Sequence, residues 1–274
     1  MLAAMAAALL PQTKLRLPFD LFPGAVHLTL LGIPMLWRHT GDPESAPDLQ
    51  LAAYGGAAYT MASGLRLTQP GGTEMRFGTI AWEGEPFRAP PYYGLRAIYW
   101  LPSARLGLMG DFTHIKAKAM KDDLVDQSGI RDRVTVPAQE QLSATFKRLE
   151  FTHGYNLLTF NLLRRGTLRR SGLIPYAGAG LGVALPHVEV QRRNAPDAAR
   201  TYGYQLAGPA MHVLGGVEWR FGRRLSVFVE YKLSCAAISG ALKRGGEVRT
   251  NLCTHQFLAG PAVHLRPREA AAIF

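Results

Sequence analysis

The sequence predicts an all-β fold: an eight-stranded antiparallel up-and-down transmembrane β-barrel. Three observations carry that reading. Apolar-rich segments recur from Asp48 onward, each close to the roughly 9–11 residues that a strand needs to cross a bilayer. One of them alternates cleanly: Leu225, Val227, Val229, Tyr231 and Leu233 share one face, and Ser226, Phe228, Glu230, Lys232 and Ser234 share the other. A period of two defines a strand with two unlike faces. The connections then alternate between long and short along the chain, as they do between the two rims of an outer-membrane barrel.

The strands are expected at 49–61, 92–101, 106–117, 149–163, 174–190, 204–221, 225–234 and 248–265. The connections 62–91, 118–148, 191–203 and 235–247 are long; those after the second, fourth and sixth strands are short. The long ones should be extracellular loops, with both chain ends periplasmic. Tyr99, Trp100, Tyr176, Trp219 and Phe221 then fall at strand ends as a periplasmic aromatic girdle. Gly178, Gly180 and Gly182 recur every second residue in the fifth strand. They suit a narrow interior that leaves room for a bulky partner such as Phe228. Periodicity alone does not say which face is inside. A soluble lipocalin-like carrier, with apolar faces lining a pocket, has the same alternation.

Residues 48–266 are read as the barrel. Residues 1–47 are read as a leader or a poorly ordered N-terminal segment. "MLAAMAAALL" is apolar but lacks a basic start, and "ESAPD" offers small residues for cleavage of an export signal. Residues 267–274 form a C-terminal tail. No apolar run of 18 or more residues occurs, so no transmembrane helix is expected.

Composition narrows the function. The 274 residues are 47% hydrophobic and only 19% charged, with 29 glycines and a formal net charge of +11. Glycine at that level opposes a helical chain. Basic residues sit in short clusters, such as Arg164, Arg165, Arg169 and Arg170. With no basic helix or zinc-knuckle spacing, these clusters suit anionic lipid headgroups rather than nucleic acid. Cys235 and Cys253 form no CxxC pair, which excludes a structural zinc site of that kind. A hairpin register centred on Arg244 sets them opposite each other. Two free buried thiols are the expectation and a cross-strand disulfide the alternative. No nucleophile elbow, Walker loop or HExxH occurs, and "GAGLG" lacks the last glycine of a dinucleotide loop.

What remains is a set of polar residues at the extracellular ends of the strands: His114, Lys116, Glu150, Thr152, His153, Asn156, His187, Glu189, Tyr204, Gln205, Thr250, Asn251 and His255. Ionisable groups at membrane depth need partners or water. Glu230 and Lys232, late in the seventh strand, belong to the same set; a structural lumen network is the alternative and is favoured for Glu230, while the rim histidines and carboxylates read as either a functional site or a hydrated rim. Imidazole with carboxylate suits a divalent metal.

The segments "AWEGEPFRAPPYYGLRAIYWLP", "LEFTHGYNLLTFNLL", "IPYAGAGLGVALPHVEV", "LSVFVEYKLS" and "GGEVRTNL" resemble the lipid A oxidase family. The resemblance covers most of residues 48–265. His153 and His255 depart from it, where the family pattern has Asp and Asn. It implies an oxidoreductase of the Gram-negative outer membrane that converts the proximal glucosamine of lipid A to 2-aminogluconate. Molecular oxygen would be the oxidant. Under that implication Glu150, His187 and Glu189 are the catalytic candidates. His114, His187 and Glu189 would hold a divalent metal ion, with Glu150 nearby. Lys116, Asn156, Lys232 and Asn251 would bind the lipopolysaccharide substrate. A closed barrel needs no partner to remove its edges, so a monomer is expected. The competing reading is a non-enzymatic structural or adhesive outer-membrane barrel.

Overall fold

The computed structural model describes residues 48–102, 105–166, 172–220 and 224–265. The expected leader, the expected tail and Phe221 lie outside the described residues. The strands, in chain order, are β1 (Asp48–Thr60), β2 (Ser63–Gln69), β3 (Thr73–Ile80), β4 (Trp82–Glu83), β5 (Tyr93–Trp100), β6 (Leu106–Ala119), β7 (Leu124–Arg131), β8 (Val134–Thr135), β9 (Gln139–Gln141), β10 (Phe146–Arg165), β11 (Leu173–Arg192), β12 (Thr201–Tyr204), β13 (Gly208–Arg220), β14 (Leu225–Ala241) and β15 (Glu247–Leu265).

Eight of them form a ring in the order β1, β5, β6, β10, β11, β13, β14, β15, and β15 pairs back onto β1. Every neighbouring pair is antiparallel, so the barrel is of the up-and-down kind. Closure leaves no unpaired edge inside a bilayer, which a spanning sheet requires.

The alternation is inverted relative to a soluble protein. Outward positions carry Leu51, Leu95, Leu108, Leu158, Phe160, Leu162, Leu181, Val227, Val229 and Phe257, all exposed. Inward positions carry Gln50, Arg96, Asp111, Thr159, Asn161, Glu230, Lys232 and Gln256, all buried. A lipocalin-like carrier would show the opposite, so that reading is overturned. Tyr99 and Trp219 face outward as a girdle requires. Trp100 and Tyr176 do not: both are buried in the lumen, where Trp100 donates a 2.8 Å hydrogen bond to Gln50 and Tyr176 one of 2.9 Å to Glu230.

Two charge networks fill the interior. At mid-barrel, Arg96 binds Glu230 through both terminal nitrogens at 2.6 and 2.9 Å, and Asp111 through Nε at 3.2 Å. Lys232 donates to Asp111 at 2.5 Å. Two cations therefore meet two carboxylates, which is how ionised groups survive burial. At the periplasmic end, the imidazole of His264 lies between Asp48 and Glu218 at 2.9 Å each, and Arg220 binds both carboxylates at 3.0 Å. Glycines of β11 make room for the neighbouring strand. A Cβ on Gly180 would lie against the Asn161 amide, and one on Gly178 against the Leu163 side chain. The space goes to Asn161 and Leu163 of β10; Phe228 packs instead on Tyr54, at 6.4 Å between ring centres, and under Arg96.

Several stretches expected as loops are strands. β2 and β3 form a hairpin within residues 62–91, and β7, β8 and β9 lie within 118–148. β14 runs seven residues past the expected Ser234, to Ala241. The expected sixth strand is broken into β12 and β13. The reason is a second core above the membrane: Leu65, Leu67, Met75, Phe77, Ile80, Phe146, Val188, Val248 and Leu252 are all buried, with Phe77 and Phe146 ring centres 5.5 Å apart. Burying these residues repays the ordering of the segments. The hairpin register does set Cys235 against Cys253, and they are joined as a disulfide rather than free. Such bonds persist in oxidising compartments.

A cavity beside Arg96, Trp100 and Phe228 measures about 10 Å³, near the minimum for one water. The charge networks and the upper apolar core occupy the lumen. Single-channel recording of the protein in planar bilayers should therefore show no steady conductance. Sustained porin-like currents would contradict the packed lumen.

Candidate functional site

On β6, β10 and β11 the polar residues singled out at the extracellular strand ends do not point into the lumen, whereas Thr250 of β15 does. On β6, Met109, Asp111 and Thr113 are inward, which sets His114, Lys116 and Lys118 on the outer wall; on β11, Leu181 is outward and so are His187 and Glu189. They stand directly above the apolar belt, at the height of lipid headgroups.

Six predicted residues are brought onto this wall. His114 and Asn156 are register partners on β6 and β10, joined by a 2.8 Å bond from His114 Nδ1 to Asn156 Oδ1. The imidazole stacks on Tyr93 at 4.9 Å. Lys116 donates to the carbonyl of Arg88 at 2.6 Å. Glu150 and Glu189 are register partners on β10 and β11. Arg148 links them, at 3.1 Å to Glu150 and 3.0 Å to Glu189. Arg200 binds the same oxygen, Glu189 Oε1, at 2.5 Å. His187 is 5% exposed. It is enclosed by the rings of His153, Tyr202 and Tyr204, at 4.8, 4.3 and 4.9 Å between centres. This part of β11 pairs with β12, beyond the wall that crosses the membrane. Burial first, then the charges of His153 and Arg200, push the His187 imidazole below its ordinary pKa. It is neutral at pH 7, the form that accepts a proton.

The two others do not join the site. Lys232 is wholly buried in the lumen, where its ammonium is held by Asp111, Tyr54 and Thr113. It is part of the fold's charge balance rather than a rim cation. Asn251 lies on β15 opposite Ala237 of β14, across β13 and β14 from β11.

The expected metal set does not fit either. Glu189 Oε1 is shared by two guanidinium groups, and His114 Nδ1 is taken by Asn156. Among the described residues no three His, Cys, Asp or Glu side chains are arranged to hold an ion.

Arg148 and Arg200, which complete the wall, were not foreseen; His153 was expected at the rim, but not beside Glu189. A bulge separates Glu150 from Tyr155 on β10. It re-aims His153 outward, so that its Nδ1 comes 3.8 Å from Glu189. Gly154 allows the bulge. Its φ is +120°, and a Cβ there would lie 2.5 Å from Asn156 Oδ1 and 2.8 Å from the His114 ring, a conformation and a space open only to glycine. The signal available in the sequence was that glycine, inside an otherwise strand-like run.

Beside the cluster runs a groove of about 430 Å³. Arg88, Lys116, Lys118, Lys121, Lys147 and Arg148 line it with Glu85, Glu150, Thr152 and His153. Six fixed positive charges face two negative ones, so it attracts anions.

A closed barrel with an apolar outer wall and a charged core is a membrane-spanning barrel of the outer-membrane type. The protein is an outer-membrane β-barrel. No protein-family model and no curated protein sequence matches the chain. Among solved structures it is similar to Neisserial surface protein A, at 13% identity and TM-score 0.39, over 81% of this chain and 99% of that one. It is also similar to the outer membrane protein OprG from Pseudomonas aeruginosa, at 11% identity and TM-score 0.40, over 81% and 96% of the two chains. At these scores the assignment to the membrane rests on the barrel's own inverted surface.

Proposed function

We propose that this barrel is an enzyme acting on lipid A from the side, oxidising its proximal glucosamine to 2-aminogluconate with molecular oxygen. One observation carries the reading: Glu150, His187 and Glu189 share the outer wall just above the lipid belt, beside a cationic groove, where an outer-leaflet headgroup would lie. The resemblance to the lipid A oxidases supplies the reaction.

Oxidation of the hemiacetal carbon removes two electrons and two protons and leaves a lactone. Dioxygen takes both electrons and both protons, and water then opens the lactone, adding one oxygen atom to the lipid overall. Glu150 lines the groove and is the proton acceptor in this reading, with His153 beside it. Glu189, fixed by Arg148 and Arg200, positions both. His187 backs His153 as a neutral imidazole. Lys116 and Arg88 hold the acidic groups of the headgroup, and Asn156 orients His114 at the same level.

The test is a mass spectrum of lipid A from cells expressing the protein, in a host whose lipid A lacks the anomeric phosphate. Growth in air should produce a species heavier by one oxygen, and growth without oxygen should not. Glu150→Gln should lower its yield about 100-fold or more, the usual worth of a general base, while the barrel still inserts. Absence of the species with folded, inserted protein would refute the oxidase and leave a structural barrel.

A further inference from the structure

We infer that the groove binds a glycolipid through acidic groups at two heights, so that the preferred ligand carries acidic sugars above its lipid headgroup and is not the bare lipid. This rests on the proposed reading that the occupant comes from the outer leaflet.

The cations are not gathered at one point. Lys116 and Lys118 take alternate outward positions near the top of β6, and Lys121 follows just past its end at Ala119. From Lys116 to the end of β6 at Ala119 the strand covers about 10 Å at roughly 3.3 Å per residue, and Lys121 lies in the turn beyond it. A charge-assisted hydrogen bond reaches only about 3 Å. One anion therefore engages the lower end, at Lys116 and Arg88, or the upper end, at Lys121, Lys147 and Arg148, but not both.

The upper end is built rather than incidental. Lys121 Nζ donates to the carbonyl of Lys147 at 2.6 Å, which ties β6 to β10 across the groove. Neither Lys116 nor Lys121 is in an ion pair among the described residues; each ammonium is anchored on a main-chain carbonyl, and Glu85 is the carboxylate that acts on Lys116 from a distance. Lys147 meets Asp197 at 3.0 Å, an exposed pair that an incoming anion displaces at little cost. A lipid phosphate next to the belt satisfies the lower cations alone. The upper ones call for carboxylates or phosphates farther from the membrane, on sugars that continue from the headgroup.

The experiment measures binding to the full-length protein in zwitterionic detergent. Three probes are compared: a lipopolysaccharide with acidic core sugars, the lipid A released from it by mild acid, and inorganic phosphate. The core-bearing lipid should bind at least 10-fold more tightly than released lipid A, with the difference shrinking as salt rises. The double variant Lys121→Glu/Lys147→Glu should erase that difference and keep lipid A binding, and Lys121→Arg/Lys147→Arg should restore it. Equal binding of both lipids to the native protein would overturn the upper subsite and leave the proposed oxidase standing. Inorganic phosphate competing as strongly as either lipid would overturn it in favour of a free-anion site. Failure of both lipids to bind would overturn it too, and the lipid A mass spectrum would then show whether the oxidase reading falls with it.

Discussion

Arg96→Met should be among the most damaging single substitutions in this protein, with an expected loss of about 3–5 kcal/mol of folding free energy. Arg96 gives Glu230 two hydrogen bonds, and it also holds Asp111. The methionine fills much of the same volume but leaves a buried carboxylate facing Tyr176 alone, with Lys232 still 4.0 Å away. The double variant Arg96→Met/Glu230→Leu should recover most of the loss, because removing both partners leaves no orphan charge. Urea unfolding of barrels in lipid vesicles, read by band shift on unheated gels, gives both numbers. A single-variant loss below about 1 kcal/mol would mean that water reaches Glu230 and that the lumen is hydrated.

Phe160→Arg should cost about 2–4 kcal/mol, the range for a cation at the bilayer midplane. Phe160 is 63% exposed and sits between Leu158 and Leu162, halfway along β10 between polar Asn156 and Arg164. By every rule for a soluble protein, a charge at so exposed a position would be harmless. The same assay decides it, with Phe160→Leu as the near-neutral control. A harmless or solubilising arginine would place this wall in water and undo the membrane assignment, and with it the side entry of a lipid substrate.

Both predictions turn on which face of each strand is inside, and that is where sequence reasoning reached its limit. The residues of β14 display their two faces in the one-dimensional pattern. Val229 and Glu230 are unlike neighbours whichever way the strand is turned, so the pattern is equally good for a lipid-facing and a pocket-facing apolar side. The short strands of the upper layer were hidden for a different reason. Leu65 and Leu67 alternate with Arg66, and Met75 and Phe77 with Arg76. That is strand-like, but the two runs are short and fall where a barrel is expected to have a loop. Only their burial against Phe146, Val188 and Val248 marks them as ordered.

The site was legible in part. His114, Lys116, Glu150, Asn156, His187 and Glu189 could be put near one rim from their positions at strand ends. Lys232 could not be separated from them, because its distance from the rim depends on how far β14 continues beyond Ser234. His153, Arg148 and Arg200 could not be assigned to Glu189, because a single bulge at Gly154 changes what each residue of β10 faces.

By itself the sequence determined the all-β class, the eight ring-forming strands and their chain order, and the partition of each strand into unlike faces. Those are local properties, set by a period of two and by where turn residues interrupt it. Loop alternation already favoured apolar faces turned to lipid in a closed ring; the tertiary structure decided the registers that pair β1 with β15, that join Cys235 to Cys253 as a disulfide, and that gather the rim residues on the outer wall. These depend on register between strands far apart in the chain, Leu49 against Leu265 for instance. A slip of one residue there would exchange inside for outside along the whole strand.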